Sequence, residues 1–552
     1  MRKTYFLATM LLLLFGPIVY AQSVNITGQV TEVNSGIPIT GANVIVKGTT
    51  IGTITDIEGN FDLSVPQGST IIISFIGYIL QEIQIVDSQT NYNIAMQDDV
   101  TSLNEVVISG LASTVKRSNL ANSVESVKSE ELTGISVQST MDGALYGKFK
   151  GANITANSGA PGGGISIKLR GVTSINGNNQ PLYIVDGVYV DNSSISAGLN
   201  VVSAAAGGGS QSNQDNPSNR IADIDPQDIE TLEVLKGASA AAMYGSRASG
   251  GVVIITTKKG RQGKTNIRLA QALGVTTMLR PLGTREWDET KAETHFGTAG
   301  RDAYIASRNS GTLRDYENEL YGNKGLMSTT RLTLSGGSAN TQYFIGATRK
   351  DDESIVEKAG YTKYSFRVNV DQKIADWLDL SVNTNYINSS ADRGFFNNDN
   401  SGTTMGVSFV STPAWAQLLP DANGEYPDNP YASSIFHETR DKNTNNETID
   451  RFIGGANVRA TIFQKSNMSL KFSGRAGIDN YTLATTAHFP NTLQFQSNGN
   501  GLNGVSVQGT TVNRHTNFNG FLVYDIFTHN HLSFRTQLGL TNENFFRNTI
   551  LG

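Results

Sequence analysis

The sequence predicts a mainly β protein in three parts: a small β-sandwich, a mixed α+β domain, and a run of long strands suited to part of a transmembrane β-barrel. Three patterns carry this. Over 24–97, short runs of Val, Ile, Thr and Phe are separated by turn residues. Over 111–260, helix-like and strand-like stretches mix. From about 265 onward, segments of about ten residues alternate apolar and polar side chains. Composition agrees: the 552 residues include 57 Gly and only 13 Pro, with 23 Phe and 19 Tyr against 3 Trp, a mix that favours strands and turns. The net charge of -5, with 16% charged residues, gives no basic footprint for nucleic acid.

Residues 1–21 read as a secretory signal: Arg2 and Lys3 are the basic start, Tyr5 to Phe15 the apolar stretch, and Val19-Tyr20-Ala21 the cleavage site. A membrane-anchor helix is the other reading, but the stretch is short of the ~20 apolar residues a span needs and is broken by Gly16 and Pro17. There is no Cys, which excludes a disulfide framework and a lipidated N-terminus. No other apolar run approaches spanning length, so any membrane segment must be made of strands.

Within 22–97, strands are expected at Val24–Val30, Ala42–Lys47, Gly52–Thr55, Asn60–Val65 and Thr70–Phe75, with Asp56 to Asn60 as a hairpin turn in which Gly59 takes a positive φ. Residues 98–110 form a connector with a β-favouring centre, Glu105, Val106, Val107, Ile108 and Ser109. This is either one more strand of the sandwich or an exposed peptide able to add to the sheet edge of another protein.

In 111–260, helix formers run from Arg117 to Leu132, and Ser139 to Phe149 reads as an amphipathic helix. Ile165, Ile167 and Leu169 alternate with Ser166, Lys168 and Arg170 as a half-buried strand, closed by Gly171. In "PLYIVDGVYV" (181–190), Asp186-Gly187 marks a hairpin. A Gly/Ser/Asn-rich loop over 198–220 precedes a helix-then-strand pattern over 225–235. In "LEVLKGASAAAMYGSRASGGVVIITTKKG" (232–260), Glu233 lies in a strand that ends at Lys236 and Gly237 turns the chain. Small residues up to Tyr244-Gly245 pack a short helix, and Gly250 and Gly251 allow close backbone approach before the next strand. Lys236 and Arg247 are expected to pair with carboxylates of the surrounding wall.

Over 261–552, Tyr364, Phe366, Val368 and Val370 oppose Ser365, Arg367 and Asn369, and Leu378 to Tyr386, Met468 to Ala476 and Leu532 to Leu540 repeat the alternation. Short links such as 372–377 alternate with long polar excursions such as 388–448, as in outer-membrane barrels. A soluble sandwich with one solvated face shares the alternation. Tyr343, Phe344, Tyr361, Trp377, Tyr386, Phe545 and Phe546, near strand ends, favour the membrane.

These stretches carry a resemblance. The segment "PITGANVIVKGTTIGTITDIEGNFDLSVPQGSTIIISFIGY" resembles the carboxypeptidase-regulatory-like sandwich domain. The stretches at 158–171 and 180–192, with the 232–260 motif, resemble the plug of SusC/RagA-family TonB-linked outer-membrane proteins, differing from that signature at Leu232. The resemblance covers residues 1–270 by motif and the rest by barrel patterning. It implies import of an oligosaccharide or peptide across the outer membrane of a Gram-negative bacterium, through a lipid-embedded barrel gated by the plug. The periplasmic partner is TonB, with ExbB/ExbD, gripping Glu105 to Ser109, and a SusD-like lipoprotein lids the outer face. No cofactor, metal or catalytic residue is implied. A non-transporting surface adhesin is the alternative from another class, and an iron-chelate receptor the alternative within transport.

Three decoys are set aside. "GRQGKT" (260–265) lacks the first Gly of a phosphate loop, having Lys258 there. His529 and His531 read as turn residues, and the acids of Asp56 to Asn60 as turn formers rather than calcium ligands. Size gives a last expectation. A plug of this length has a radius of roughly 19 Å, whereas about nine strands enclose a radius of only ~9 Å. The twenty-two strands of plugged transporters enclose about 22 Å. The chain is therefore expected to be the N-terminal portion of a longer protein.

Overall fold

The computed structural model describes residues 23–552 apart from 33–37, 40, 50, 76–79, 87–89, 97–105, 110–112, 117–123, 134–143, 157–158, 176–178, 196–217, 237–243, 284, 397–401, 466–467, 498–503 and 528–532. The expected signal peptide, Glu105, Gly237, His529 and His531 lie outside the described residues. The chain divides into two compact units, Met1–Ile108 with Thr114–Leu120, and Ser109–Ser113 with Ala121–Gly552.

The first unit contains two facing sheets. Ser23–Glu32 (β1), Asn43–Val46 (β2), Gly52–Ile54 (β3), Asn60–Pro66 (β4), Thr70–Ser74 (β5), Gln81–Gln84 (β6) and Asn91–Met96 (β7) arrange as β4-β1-β7 and β3-β2-β5-β6. Alternation explains the core: Phe61, Leu63 and Val65 of β4 turn inward, Asp62 and Ser64 outward, and the inward set joins Ile26, Val30, Val44, Ile71, Ile73 and Ile94. Strands β6 and β7 add to the five expected. The turn at Asp56 to Asn60 forms, with Asp56 Oδ1 accepting from the Glu58 and Asn60 amides and Gly59 at φ 76°. It is not a hairpin, however: β3 pairs with β2 and β4 with β1, so the turn carries the chain from one sheet to the other. A Cβ on Gly59 would lie 2.6 Å from the Val30 carbonyl oxygen, which ties the crossing point to β1.

In the connector, Val106–Ser109 (β8) pairs with Ser113–Lys116 (β9) as a separate two-stranded sheet, outside both sandwich sheets.

The central domain is built on a mixed sheet of Val124–Lys128 (β10), Leu182–Val185 (β13), Val188–Val190 (β14), Ile229–Leu235 (β15) and Val252–Thr257 (β16), in the order β10-β15-β16-β13-β14. Ala152–Ala156 (β11) and Ile165–Leu169 (β12) form a second, two-stranded sheet. Where helix was expected over 117–132, the described residues are helical only at Ser129–Thr133 (α1). Val124 to Lys128 extend instead, because the Leu232–Leu235 edge offers a β-ladder that outweighs local propensity. Of the helix expected at 139–149, the described part is helical only at Ala144 and Leu145, both buried. Single 3₁₀ turns at Arg220–Asp223 and Pro226–Asp228 lead into β15, with Asp225 capping the second.

Nine long antiparallel strands follow in sequence order: Gly263–Thr276 (β17), Gly325–Gly337 (β18), Thr341–Glu353 (β19), Gly360–Ala375 (β20), Leu378–Asp392 (β21), Thr444–Lys465 (β22), Met468–Phe489 (β23), Val505–Phe527 (β24) and Ser533–Leu551 (β25). They curve around one side of the central domain with inverted polarity. Lys363, Ser365, Arg367 and Asn369 are buried against that domain, whereas Phe366 is 50% exposed and Tyr364 47%. On β24, Asn513, His515, Asn517 and Asn519 are buried while Phe518 and Leu522 face out. A soluble sandwich buries its apolar side. This wall buries its polar side, which suits a sheet solvated by lipid.

The connections alternate too. The short links 338–340 and 376–377 lie at one rim, and 354–359 with the described parts of 277–324, 393–443 and 490–504 at the other. The aromatic expectation holds only in part. Tyr343, Trp377, Tyr386 and Phe546 lie on the outer face, but Phe344 and Tyr361 are buried on the inner face, and Phe545 packs its ring 5.6 Å from that of His515.

The excursion expected to be polar has an apolar core. Ala292 and Tyr304 of Glu289–Ser310 (α2, broken at Gly297) pack with Trp415, while Tyr316–Tyr321 (α3), Met405–Ser411 (α4) and Phe436–Lys442 (α5) bring Phe395, Met405, Leu418, Phe436, Phe489 and Phe495 together. His437 of α5 is buried within it. Burial, and then the nearby Arg440, push its imidazole down to about 4, so at neutral pH it is uncharged although Glu319 Oε2 is 3.2 Å away. Burial raises the Glu319 carboxyl.

Two outcomes are expected. Leu522→Arg on the outer face should destabilise the folded protein in lipid vesicles by roughly 2–4 kcal/mol, read from the denaturant midpoint of refolding. Because the folded His437 pKa lies below its unfolded value, its contribution to stability is full above about pH 6.5 and is lost as pH falls towards 4. Glu319, with its raised pKa, acts in the opposite direction. The protection factors of the 436–442 amides, taken against the intrinsic rate at each pH, should therefore fall on acidification in the wild type, and in His437→Asn this trend should vanish or reverse.

Candidate functional site between the central domain and the strand wall

The wall and the central domain meet through buried charge. Arg451 of β22 is fully buried and uses all of its donors. Nε and one NH2 hydrogen reach Asp479 Oδ1 and Oδ2 on β23 at 2.8 and 2.9 Å. NH1 donates to Asp223 Oδ2 at 2.7 Å and to the Arg220 carbonyl at 2.6 Å, and NH2 to the Asp191 carbonyl at 3.1 Å. Such a two-pronged guanidinium–carboxylate pair, with every hydrogen satisfied, is the form in which a buried charge is tolerated.

Around this hub, Asp191 accepts from the Tyr481 hydroxyl at 2.6 Å, from Arg547 at 2.7 Å and from the Ser193 hydroxyl at 2.7 Å. Burial alone would raise its carboxyl, but the Tyr481 hydroxyl and the Arg547 guanidinium hold it below the usual range. Arg220 reaches Glu447 of the wall at 2.8 Å, and Arg393 lies 3.2 Å from the other oxygen of Glu447.

A second station is Asp228, at the end of the 3₁₀ turn Pro226–Asp228. It is flanked by Arg331 of β18 and by Arg367 of β20, whose Nε is 3.0 Å away. Against the push of burial, first Arg367 and then Arg331 hold its carboxyl below the usual range.

The residues singled out from sequence divide into two groups. Asp186 and Gly187 form the expected β13–β14 turn, with φ 51° and 90°. Asp186 accepts from the Thr257 amide at 2.9 Å and from its hydroxyl at 2.6 Å, and lies 3.8 Å from Arg367. Asn517 of β24 donates to the Gly187 carbonyl at 3.1 Å. Arg247 pairs with Glu543 on β25, as expected of a wall carboxylate, and its guanidinium carbon lies 5.7 Å from the centroid of the Tyr189 ring.

The other group serves the inside of the domain. Lys236 corrects the expectation: its partners are Glu125 on β10 and the Lys150 carbonyl, because it follows β15, whose neighbour β10 lies on the side away from β13 and β14. Glu233 is buried in β15. Tyr244 is largely buried, which raises its phenol, and Gly245 has φ 81°. A Cβ on Gly250 would meet the Gln180 carbonyl at 2.8 Å, and one on Gly251 the Leu169 side chain at 2.5 Å, so both glycines serve close approach. Arg170 and Gly171 lie in an exposed bend with φ 60° and 100°.

Sequence reasoning did not single out Arg220, Asp223, Asp228, Asp191, Arg331, Arg451, Asp479 or Glu447. The usable signal was charge at inward positions of the alternating strands, where Arg367 had been read as polar-face without a partner. Among the described residues there is no group of His, Asp or Glu side chains arranged to hold a metal ion.

Comparison with known proteins agrees with this arrangement. A model of the CarboxypepD_reg-like domain matches residues 26–108, and one of the TonB-dependent receptor plug domain matches residues 116–252. The first runs into β8. The TonB-dependent receptor SusC of Bacteroides thetaiotaomicron is 33% identical over 404 residues, 71% of this chain and 37% of SusC. A TonB-dependent receptor of Formosa agariphila is 34% identical over 439 residues, 77% of this chain and 40% of the relative. The chain thus spans well under half the length of these relatives. In fold, the structure of the RagAB peptide transporter superposes with a TM-score of 0.58 at 21% identity, covering 78% of this chain and 49% of that one.

A plug seated by charge on the inner side of an amphipathic strand wall defines the plug-and-barrel class of receptor. The chain belongs to the SusC/RagA family of TonB-dependent receptors, a family of transporters and receptors rather than enzymes.

Removing the hub tests the contact. Arg451→Ala leaves Asp479 without its guanidinium and Asp223 with only Arg220, 3.7 Å away, and should cost about 3–5 kcal/mol. The expected readout is faster hydrogen exchange over 218–230 while the β22–β23 amides stay protected, with Arg451→Lys intermediate.

Proposed function

We propose that this chain serves import across the outer membrane of a Gram-negative bacterium, the plug blocking a lipid-embedded barrel until an energised partner pulls on it. The observation that carries the reading is the inverted wall, with Arg331, Arg367 and Arg451 buried against the plug and Phe366, Phe518 and Leu522 turned outward. In this reading residues 1–21 direct export, 22–97 are the regulatory-like sandwich, 98–110 the linker, 111–260 the plug, and 261–552 barrel wall. TonB, driven by ExbB/ExbD, grips Glu105 to Ser109, for which an edge-pairing strand such as β8 is a suitable shape. A SusD-like lipoprotein covers the outer rim, where the long connections lie. The substrate is an oligosaccharide or a peptide, in keeping with relatives named for SusC and for peptide transport.

The geometry also favours an order of events. Among the described strands, β10 is an edge strand paired only with β15 and pinned through Glu125 to Lys236, whereas 218–230 is bound to the wall at Arg451, Arg331 and Arg367. A pull arriving from the N-terminal side meets the edge strand first and the charged clamp last.

Deleting residues 105–109 in the full-length protein should abolish substrate uptake by cells while leaving substrate binding at the surface intact. Uptake at the wild-type rate would sink the gripping role.

A further inference from the structure

The long connections at the outer rim enclose a cavity that the plug–wall contact does not use. Its volume is about 400 Å³, within the rough 300–1,000 Å³ of small-ligand pockets. Leu282, Phe409 and Val410 supply apolar wall, and Arg285, His295 and Arg314 supply basic groups. Among the described residues, no carboxylate lines it. The nearby acid Glu317 is engaged elsewhere, accepting from the Leu282 and Gly283 amides at 2.6 and 2.8 Å.

Arg285 is positioned without an acid. Its guanidinium carbon lies 4.7 Å from the centroid of the Trp287 ring, and its NH2 is 2.8 Å from His295 Nε2. Trp287 is in turn fixed edge-on against Trp415 at 4.8 Å. Arg314 reaches Glu319 with NH1 at 3.4 Å, but its Nε is buried with no hydrogen-bond partner. Leu282 and Val410, which line the same cavity, are 87% and 69% exposed, an unusual cost for aliphatic side chains flanking a cavity unless something covers them.

A pre-positioned guanidinium matches a carboxylate in a planar fork, and aliphatic walls gain from an apolar body rather than from a ring bearing hydroxyls on every side. We propose that this cavity is a subsite for the C-terminal carboxylate of a short peptide ending in an apolar residue. The carboxylate sits on Arg285 and Arg314, and the last side chain lies among Leu282, Phe409 and Val410. The inference rests on the import reading only for the side from which the ligand arrives.

Isothermal titration of the full chain in detergent with N-acetyl-alanyl-leucine, its C-terminal amide and glucuronate tests it. The free acid should bind saturably, and the amide and glucuronate at least ~10-fold more weakly; Arg285→Gln and Arg314→Gln should each weaken the acid to a similar degree, by loss of a charged hydrogen bond. Arg285→Lys should retain part of the affinity. Val410→Asn, at an exposed position that spares the fold, should weaken the leucine-ended peptide but not N-acetyl-alanyl-glycine. Equal binding of acid and amide, indifference to Arg285→Gln, tighter binding of glucuronate, or no binding at all would each overturn the proposal. Because uptake is not measured, deletion of 105–109 should leave these affinities unchanged, so failure of the subsite and failure of import are told apart.

Discussion

A sheet that shows phenylalanine and leucine outward must hide its amides and charges inward, and whatever fills the inside must answer them. That constraint organises the second unit. Arg331, Arg367 and Arg451 stand on three different strands, and each finds its carboxylate on a loop of the plug: Asp228 for the first two, Asp223 for the third. Desolvating these ions is costly, and geometry alone makes it tolerable, since each guanidinium is matched by oxygens at hydrogen-bond distance. The plug is thereby fixed in orientation more than it is stabilised. An apolar contact of equal area would hold it as firmly but would let it rotate or slip.

Much of this was legible in the sequence. Period-two alternation over long segments gives strands without ambiguity, and Asp186-Gly187 gives a turn because both residues accept positive φ. What alternation cannot supply is the sign of the face. Tyr364 and Phe366 read the same whether they point to a core or to lipid, and only the burial of Arg367 between them and the plug decides it. Local patterning failed where a distant partner intervened. Val124 to Lys128 became a strand because of Leu232 to Leu235, and Lys236 turned to Glu125 rather than to the wall. The ion-pair hub was invisible for the same reason, its members being brought together by sheet register rather than by spacing.

The outer connections follow different rules from the wall. They carry an apolar core of their own in Phe395, Phe436, Phe489 and their neighbours, and the aromatic group around Trp287 and Trp415 lies among them. A buried neutral histidine and a carboxyl raised by burial lie within hydrogen-bonding range there. Such a rim is a folded platform rather than a set of loose loops, which lets it hold side chains at fixed distances above the plug.

The hub also bears on biogenesis. Arg451 is synthesised 228 residues after Asp223 and 28 before Asp479, so the plug leaves the ribosome before its acids meet the arginines of the wall. Until the strands carrying their arginines arrive, Asp223 and Asp228 are better off hydrated than buried, and the 218–230 segment has no reason to settle. The nascent stopper is thus kept from setting hard ahead of its container, and the two are obliged to mature together.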